Sequence, residues 1–118
     1  MHLNHLNLAV DDVEETSAFL RAYFGLQAVH GAPATSRMRI LRDDAGCVLT
    51  LMHLPDDPPA AYPGTFHIGF VQPEPAAVDS LHQRLVGDGF DVAPPRRFHG
   101  SWTFYVRAPG GVLVEVLA

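Results

Sequence analysis

The chain has 118 residues, 47% of them hydrophobic and 18% charged, which is the composition of an ordinary globular domain. Thirteen acidic residues against eight basic ones give a formal net charge of −5, which argues against a nucleic-acid-binding or membrane-surface protein. The single cysteine, Cys47, excludes an intramolecular disulfide framework and a cysteine-rich zinc site. No apolar run is long enough for a membrane span and the first residues lack a signal-peptide pattern, so we expect a cytoplasmic protein.

The sequence contains an internal repeat. The run His-Leu-Asn-Leu-Ala-Val at 5–10 resembles His-Ile-Gly-Phe-Val-Gln at 67–72, which lies 62 residues further along. Each run is followed by apolar residues at helical spacing. Helix-start signals lie at 11–14 in the first half and at 73–75 in the second, and glycines follow both helices.

Short apolar or alternating runs predict three further strands in each half: 26–30, 38–41 and 47–54, then 90–93, 102–107 and 112–117. Each half therefore has the order strand, helix, strand, strand, strand. The prolines of residues 55–64 predict an extended linker between a first module, about 1–54, and a second, about 65–118. The linker is too short to separate two domains. We predict a single α+β domain over 1–118, in which two βαβββ modules form a cupped mixed sheet with the helices outside.

Strand alternation selects the polar residues of the inner face. It turns His5 and Asn7 in the first strand, His67 in the strand that opens the second half, and Glu115 in the last strand away from the helices. Two imidazoles and one carboxylate form a facial triad that holds a divalent metal and leaves positions for substrate, water or oxygen. These donors suit Fe, Mn, Ni, Co or Zn, and their chemistry does not choose among them.

A structural role for the same residues is the alternative. A single histidine on a strand is more often structural than a ligand, and both histidines could merely pair with Glu115. A carboxylate between Val114 and Val116 is costly to bury without a partner, however. Three such residues at equivalent points of a repeat favour the metal site.

Nearly the whole chain resembles the vicinal oxygen chelate superfamily, which includes glyoxalase I, extradiol dioxygenases, fosfomycin-resistance transferases and bleomycin-resistance proteins. The opening 5–10 run, Phe-Gly-Leu at 24–26, His67, and the 104–111 run Phe-Tyr-Val-Arg-Ala-Pro-Gly-Gly before Glu115 carry the resemblance. It implies paired βαβββ modules with a metal on the positions of His5, His67 and Glu115. Bleomycin-resistance proteins typically lack these ligands, which counts against simple drug sequestration.

The resemblance narrows the reaction only in part. Glyoxalase-like members use a fourth ligand, a glutamate, and the matching position falls near Thr50, which weakens a lactoylglutathione lyase assignment. Fosfomycin transferases carry a threonine where this chain has Asn7. The extradiol pattern fits better, with Tyr105 and His99 ahead of the ligand glutamate, and three protein ligands leave room for a diol and dioxygen. Tyr105 would then bond a metal-bound oxygen and His99 would act as a general acid or base.

Other polar residues are assigned by their position. Asn7, Thr50, Thr103 and His53 are predicted to contact substrate, although the strand parity of His53 points it away from the face of Thr50. His2, His30 and His82 are interpreted as bystanders. Arg96 and Arg97 are predicted to lie in a solvated loop, with a clamp for an anionic substrate as the alternative.

The sequence thus predicts a metalloenzyme of this superfamily that acts on a small oxygenated molecule, with dioxygenase-like or glyoxalase/isomerase-like chemistry. The alternative is a binding or resistance protein that sequesters a small molecule, such as an antibiotic, without catalysis. We expect no nucleic-acid or membrane partner. We expect a homodimer, whose metal ligands come either from one chain or from both.

Overall fold

The computed structural model describes residues 1–53, 56 and 60–118, which divide into two compact units. The first unit contains Met1–Pro63 and Ala108–Val112, and the second contains Gly64–Arg107 and Leu113–Ala118. The chain passes from one unit to the other at the end of the proline-rich stretch 55–64, of which 55 and 57–59 lie outside the described residues. Within the described residues, no helix is both long and apolar enough to cross a membrane.

The first unit is one helix on one mixed sheet. Its sheet has the strand order β1-β5-β4-β2, with β3 also paired to β4. Strands β1 and β5 run parallel, and the other pairs are antiparallel. The elements in chain order are β1 (His5–Ala9), α1 (Val13–Phe24), β2 (Gln27–Ala28), β3 (Ala34–Thr35), β4 (Met38–Arg42) and β5 (Val48–Met52).

The second unit repeats this arrangement. Its sheet has the order β6-β9-β8-β7, and β6 and β9 are its parallel pair. The predicted α+β class is therefore confirmed, and the structure has two mixed sheets and two helices. The elements are β6 (Ile68–Val71), α2 (Pro75–Gly87), β7 (Arg96–Phe98), β8 (Ser101–Arg107) and β9 (Leu113–Leu117).

Local signals fix both helices. The Asp12 carboxylate caps α1 by accepting a 2.8 Å hydrogen bond from the backbone N–H of Glu15. Gly25, with φ +70°, ends α1 in the left-handed conformation that glycine adopts without strain. Pro75 occupies the start of α2, where its missing N–H costs no helical hydrogen bond.

Alternation in the strands buries one face of each sheet against its own helix. In the first unit Leu8, Leu41 and Leu51 are fully buried, and in the second Val114 and Val116 are. We call the opposite side of each sheet its open face. The open face is where side chains can meet a ligand.

His82 is not the solvated bystander that the sequence suggests. Its Nε2 lies 3.2 Å from the backbone oxygen of Val92, and its ring packs edge-on against Phe104 at 5.4 Å. On the same side of the sheet the indole N–H of Trp102 donates a 2.8 Å hydrogen bond to Asp79 of α2. These contacts fasten α2 to its sheet.

Two sequence predictions in the second half are wrong. Residues 90–93 form no strand, and Arg96 and Arg97, which were expected to lie in a loop, belong to strand β7. His99 and Gly100, with φ of +48° and +89°, form the two-residue turn that joins β7 to β8. The sequence signal was weak because the usual dipeptides of a two-residue hairpin turn are Asn-Gly, Asp-Gly and Gly-Gly, not His-Gly.

The turn between β8 and β9 belongs to the first unit. The backbone N–H of Asp11 donates to the oxygen of Gly110 at 3.2 Å, and the buried Thr16 hydroxyl bonds the Pro109 oxygen. A Cβ built on Gly110 would collide with that hydroxyl oxygen. Glycine is therefore required here for space as well as for its φ of +85°.

Candidate metal centre

Strand register gathers the polar residues of the second unit on its open face. Gly69 of β6, Glu115 of β9 and Tyr105 of β8 lie side by side in one row across the sheet. The adjacent row, two residues along the strands, consists of Val71, Leu117, Thr103 and Arg96. Residues paired across strands point to the same side, so the side chains of both rows lie on one face of the sheet.

Glu115 is the centre of this surface. Its side chain is only 15% exposed. The Tyr105 hydroxyl donates a 2.6 Å hydrogen bond to its Oε1, and the Thr103 hydroxyl lies 3.1 Å from the same oxygen. The Thr103 hydroxyl also lies 2.7 Å from the backbone oxygen of Val116, so its single proton is shared between two acceptors. These donors hold one carboxylate oxygen in place and leave the other, Oε2, available.

His67 faces that second oxygen. Its Nε2 lies 3.2 Å from Oε2 of Glu115, and its Nδ1 lies 2.9 Å from the backbone oxygen of Thr65. A carbonyl oxygen only accepts, so Nδ1 carries a proton and Nε2 is the nitrogen directed at Glu115. The ring also packs edge-on against Tyr105, 5.5 Å between centroids. Such fixing of Nδ1 by a carbonyl is the usual arrangement of a metal-binding histidine.

Tyr105 is held in its protonated form. Its hydrogen bond to Glu115, burial and the negative charge of Glu115 raise the pKa of Tyr105 to about 12, while the positive charge of Arg96 acts in the opposite direction. At neutral pH Tyr105 is thus a hydrogen-bond donor that orients the carboxylate, not a base.

The first unit carries three of the predicted residues on its own open face. His5 and Asn7 are exposed on β1, and the half-buried Thr50 of β5 lies opposite Asn7. His5 Nδ1 lies 3.1 Å from the side-chain oxygen of Asn4. The pair Asn7–Thr50 stands in this sheet where Gly69–Glu115 stands in the other, so Thr50 occupies the repeat position of Glu115.

Three predicted site residues have different surroundings from those expected. Thr103 is fully buried, so its hydroxyl orients Glu115 and does not line an accessible surface. His53 directs Nδ1 to the backbone oxygen of Val10, 3.2 Å away. His99 lies at the tip of the β7–β8 hairpin with its ring centroid 3.9 Å from that of Phe98. Neither histidine contacts the His67–Glu115 pair.

The donor set of the second unit fits two positions of a divalent metal. An imidazole nitrogen and a carboxylate oxygen converge, each with its remaining polar atom engaged. The third sequence-predicted donor, His5, belongs to the first unit. Among residues 1–53, 56 and 60–118, no group of three or more His, Cys, Asp and Glu side chains is already placed to hold a metal.

Arg96 is the open-face residue that the sequence assigned to a loop. In β7 it pairs with Thr103, which puts its side chain on the same surface as Tyr105 and Glu115, while Arg97 pairs with Trp102 on the helix side. Once β7 is recognised as a strand, the alternation of residues 96–98 predicts that Arg96 lies on the open face and Arg97 on the helix side.

Solved structures similar to this chain have the same fold. A protein described as a possible glyoxalase from Bacillus cereus is 43% identical, with 100% of this chain and 99% of that chain covered and a TM-score of 0.89. A lactoylglutathione lyase from Agrobacterium tumefaciens is 25% identical, with 98% and 92% covered and a TM-score of 0.77. A fosfomycin resistance protein mutant from Listeria monocytogenes, complexed with Mn(II) and 1S,2S-dihydroxypropylphosphonic acid, is 23% identical, with 99% and 91% covered and a TM-score of 0.78, and supports the fold alone.

No curated protein matches the chain. The model of one protein family matches residues 2–116. The chain therefore belongs to the glyoxalase/bleomycin resistance protein/dioxygenase superfamily, the vicinal oxygen chelate superfamily that its repeated strands and ligand pattern resemble.

Proposed function

We propose that the chain is a metal-dependent enzyme that acts on a small oxygenated substrate, with His67, Glu115 and His5 as the protein ligands of a divalent ion. The observation that carries the proposal is the pairing of His67 Nε2 with Glu115 Oε2 at 3.2 Å, with His67 Nδ1 fixed by the Thr65 carbonyl. The open-face position of His5, which repeats that of His67, supports it as the third ligand.

The contacts around Glu115 support a ligand role better than a purely structural ion pair. Tyr105 and Thr103 both bond Oε1, so the orientation of the carboxylate does not depend on His67. The His67 side chain is in turn 36% exposed, so the pair lies beside solvent. Two oriented donors beside solvent are what a metal site needs, whereas a buried structural pair would be closed.

The bound metal would supply a Lewis acid and a template for two adjacent substrate oxygens. The chain's own residues prepare the surface for it. Tyr105 keeps its proton at neutral pH and fixes the carboxylate plane. Gly69, which lies opposite Glu115, has no side chain, so the space above the carboxylate stays open for substrate.

Thr50 separates the two candidate reactions. A glyoxalase/isomerase-like proton shuttle uses a second carboxylate at the repeat position of Glu115, and that position holds Thr50. Three protein ligands and no second carboxylate favour dioxygenase-like chemistry, with the glyoxalase/isomerase-like reaction as the alternative. Oxygen uptake with a catechol, compared with turnover of a hemithioacetal, distinguishes the two.

Metal titration tests the proposal. Wild-type protein should bind a divalent ion at micromolar concentration, and His67→Ala and Glu115→Gln should each weaken binding by about 100-fold or more. His30→Ala, which changes an exposed histidine of the first unit, is the matched control and should bind as wild type does. Wild-type protein that binds no divalent ion would overturn the metalloenzyme assignment and leave ligand sequestration as the function.

Mixing variants tests the proposed homodimer and the origin of the ligands. His5→Ala and Glu115→Gln chains each lack one donor. If the ligands come from two chains, a mixed dimer regains one complete site and part of the metal binding. If the ligands come from one chain, the mixture regains no metal binding. Sedimentation of the wild type as a monomer at micromolar concentration would exclude the shared site.

A further inference from the structure

Neither the backbone nor the packing of β6 requires a glycine at Gly69. The pairing of β6 with β9 is continuous from Ile68 to Val71, so Gly69 marks no bulge, and its φ is not in the left-handed region. A Cβ built on Gly69 would make only ordinary contacts, 3.6 Å from Leu117 Cδ2 and 3.8 Å from Glu115 Oε2. Glycine weakens a strand interior, and one without a structural reason often marks the close approach of a ligand.

The space above Gly69 lies between the candidate metal centre and two apolar side chains. His67 and Val71 are two residues before and two residues after Gly69, and both lie on the open face. On β9, Glu115 lies opposite Gly69, and Leu117 lies opposite Val71. A group placed where the Cβ would be therefore touches a leucine methyl and lies beside Oε2, the oxygen that faces His67.

The apolar end of this surface is open to solvent. Val71 is 78% exposed, and Leu117 is half-buried. Among the described strands of the second sheet, β6 is the outermost on this side, so a ligand can reach Gly69 from the free edge of β6. Arg96, the charged residue of the Val71–Leu117 row, is at the opposite end of that row. An apolar group at Gly69 would thus remove apolar surface from water beside the metal ligands.

We propose that the space above Gly69 receives a small apolar substituent of the substrate, carried on the carbon next to the oxygens that the metal would hold. This role rests on the metalloenzyme function, because the metal would fix those oxygens beside Glu115. The missing side chain of Gly69 gives the substituent room, and Leu117 and Val71 contact it. The substrate class is then a vicinal diol with a methyl-sized group adjacent to its chelating oxygens.

Three diols test the position of the substituent by calorimetry on Mn(II)-loaded protein in the absence of oxygen. 3-Methylcatechol carries its methyl group beside a chelating oxygen, 4-methylcatechol carries it one carbon further away, and catechol has none. Burial of one methyl group is worth about a fourfold gain in affinity, so wild type should bind 3-methylcatechol about four times more tightly than the other two diols.

A matched pair of glycine variants assigns that preference to Gly69. In Gly69→Ala the Cβ takes the place of the methyl group, so the preference for 3-methylcatechol should disappear. Gly87→Ala is the control, because it makes the same change at an exposed glycine of α2 where a Cβ would have no contact within 4 Å. It should keep the fourfold preference of the wild type.

Urea denaturation tests the role of the glycine without any metal. If Gly69 serves the substrate and not the fold, Gly69→Ala should unfold at a higher urea concentration than wild type, because alanine loses less backbone freedom on folding. A lower denaturation midpoint for Gly69→Ala would show that the fold requires this glycine, and would overturn the substituent site whatever the metal does.

The binding results also separate the substituent site from the proposed function. If catechol binding depends on Mn(II) but wild type binds the two methyl isomers equally, or if Gly69→Ala keeps the preference, the substituent site is overturned and the metal site stands. If none of the three diols binds the loaded protein, both are overturned, because the substituent is placed by the oxygens that the metal would hold.

Discussion

The two sheets share one architecture and differ in what they carry. In both, the first strand runs parallel to the last, and the same register relates them. The middle row of the open face consists of Asn7, Thr50 and Ile40 in the first unit. The equivalent row of the second unit consists of Gly69, Glu115 and Tyr105. The repeat has therefore kept the backbone in both halves while the carboxylate and its phenol partner occur in only one.

The two repeated histidines also differ in how firmly they are held, and again the second unit is the more ordered one. His67 is fixed through Nδ1 by a backbone oxygen, that of Thr65, whereas His5 bonds the side-chain oxygen of its neighbour Asn4. A backbone acceptor is held by the chain, and a surface side chain is not. The second unit is thus the preorganised half of the proposed centre, and His5 is the donor that metal binding would have to order.

The largest expected effect contrasts the last hairpin turn of each half. Gly110 and Gly46 both have left-handed backbones, with φ of +85° and +90°, but only a Cβ at Gly110 meets the Thr16 hydroxyl. Gly110→Ala should cost about 3 kcal/mol of stability, from backbone strain and overpacking together. Gly46→Ala should cost about 1–2 kcal/mol, from backbone strain alone.

Urea denaturation of the two variants measures the difference. In a Thr16→Ala background the cost of Gly110→Ala should fall, because the colliding hydroxyl is gone. Equal costs for Gly110→Ala and Gly46→Ala would show that the Thr16 contact does not constrain the turn, and would remove this distinction between the halves.

The next effect concerns the space above Glu115. A Cβ at Gly69 would lie 3.6 Å from Leu117 and 3.8 Å from Oε2 of Glu115, which are ordinary contacts, so Gly69→Ala should fold normally. Gly69→Leu should extend over the carboxylate and weaken catechol binding to the metal-loaded protein by tenfold or more, about 1.4 kcal/mol. Asn7→Leu, at the repeat position of the first sheet, is the comparison. Equal losses from both leucines would mean that the halves contribute equally to the ligand surface.

Much of the fold and of the candidate site could be predicted from the sequence. Alternation placed His5, His67 and Glu115 on open faces, and the cap at Asp12 and the stop at Gly25 located α1. What could not be read depended on contacts between residues distant in sequence. The His99–Gly100 turn, and with it the orientation of Arg96, followed from pairing between β7 and β8.

The burial of individual side chains was the other property that the sequence did not predict. Period-two logic selects a face but not the depth of a side chain on it, so Thr103 was expected to touch substrate although it is fully buried. His53 was ambiguous because it follows the last residue of β5, where strand parity no longer governs direction. The bond to Val10 that settles its orientation joins residues 53 and 10, a contact that no local pattern encodes.

A smaller effect should appear at high pH. Because the pKa of Tyr105 is raised in the folded protein to about 12 from an ordinary 10, folding favours its protonated form. This contribution to stability is complete below about pH 10 and is lost as the pH rises through 12. Tyr105→Phe should remove that part of the pH dependence, whereas Tyr23→Phe should keep it. Denaturation midpoints between pH 9 and pH 12 with the same slope in all three proteins would contradict the phenol–carboxylate pairing.

The smallest expected effect concerns the hydroxyl beneath Glu115. Thr103→Val keeps the shape of the side chain but removes the donor shared by the Val116 oxygen and Glu115, and should cost about 1 kcal/mol in urea denaturation. Thr103→Ser keeps the donor, so it should retain the wild-type metal affinity that Thr103→Val lowers. This contrast matters because the first sheet has Met38, not a hydroxyl, at the equivalent place opposite Met52. If the valine variant bound metal as tightly as the serine variant, Thr103 would be a packing residue. Tyr105 would then be the one side-chain donor that orients Glu115, and it would be the difference from the surroundings of Thr50 in the first sheet.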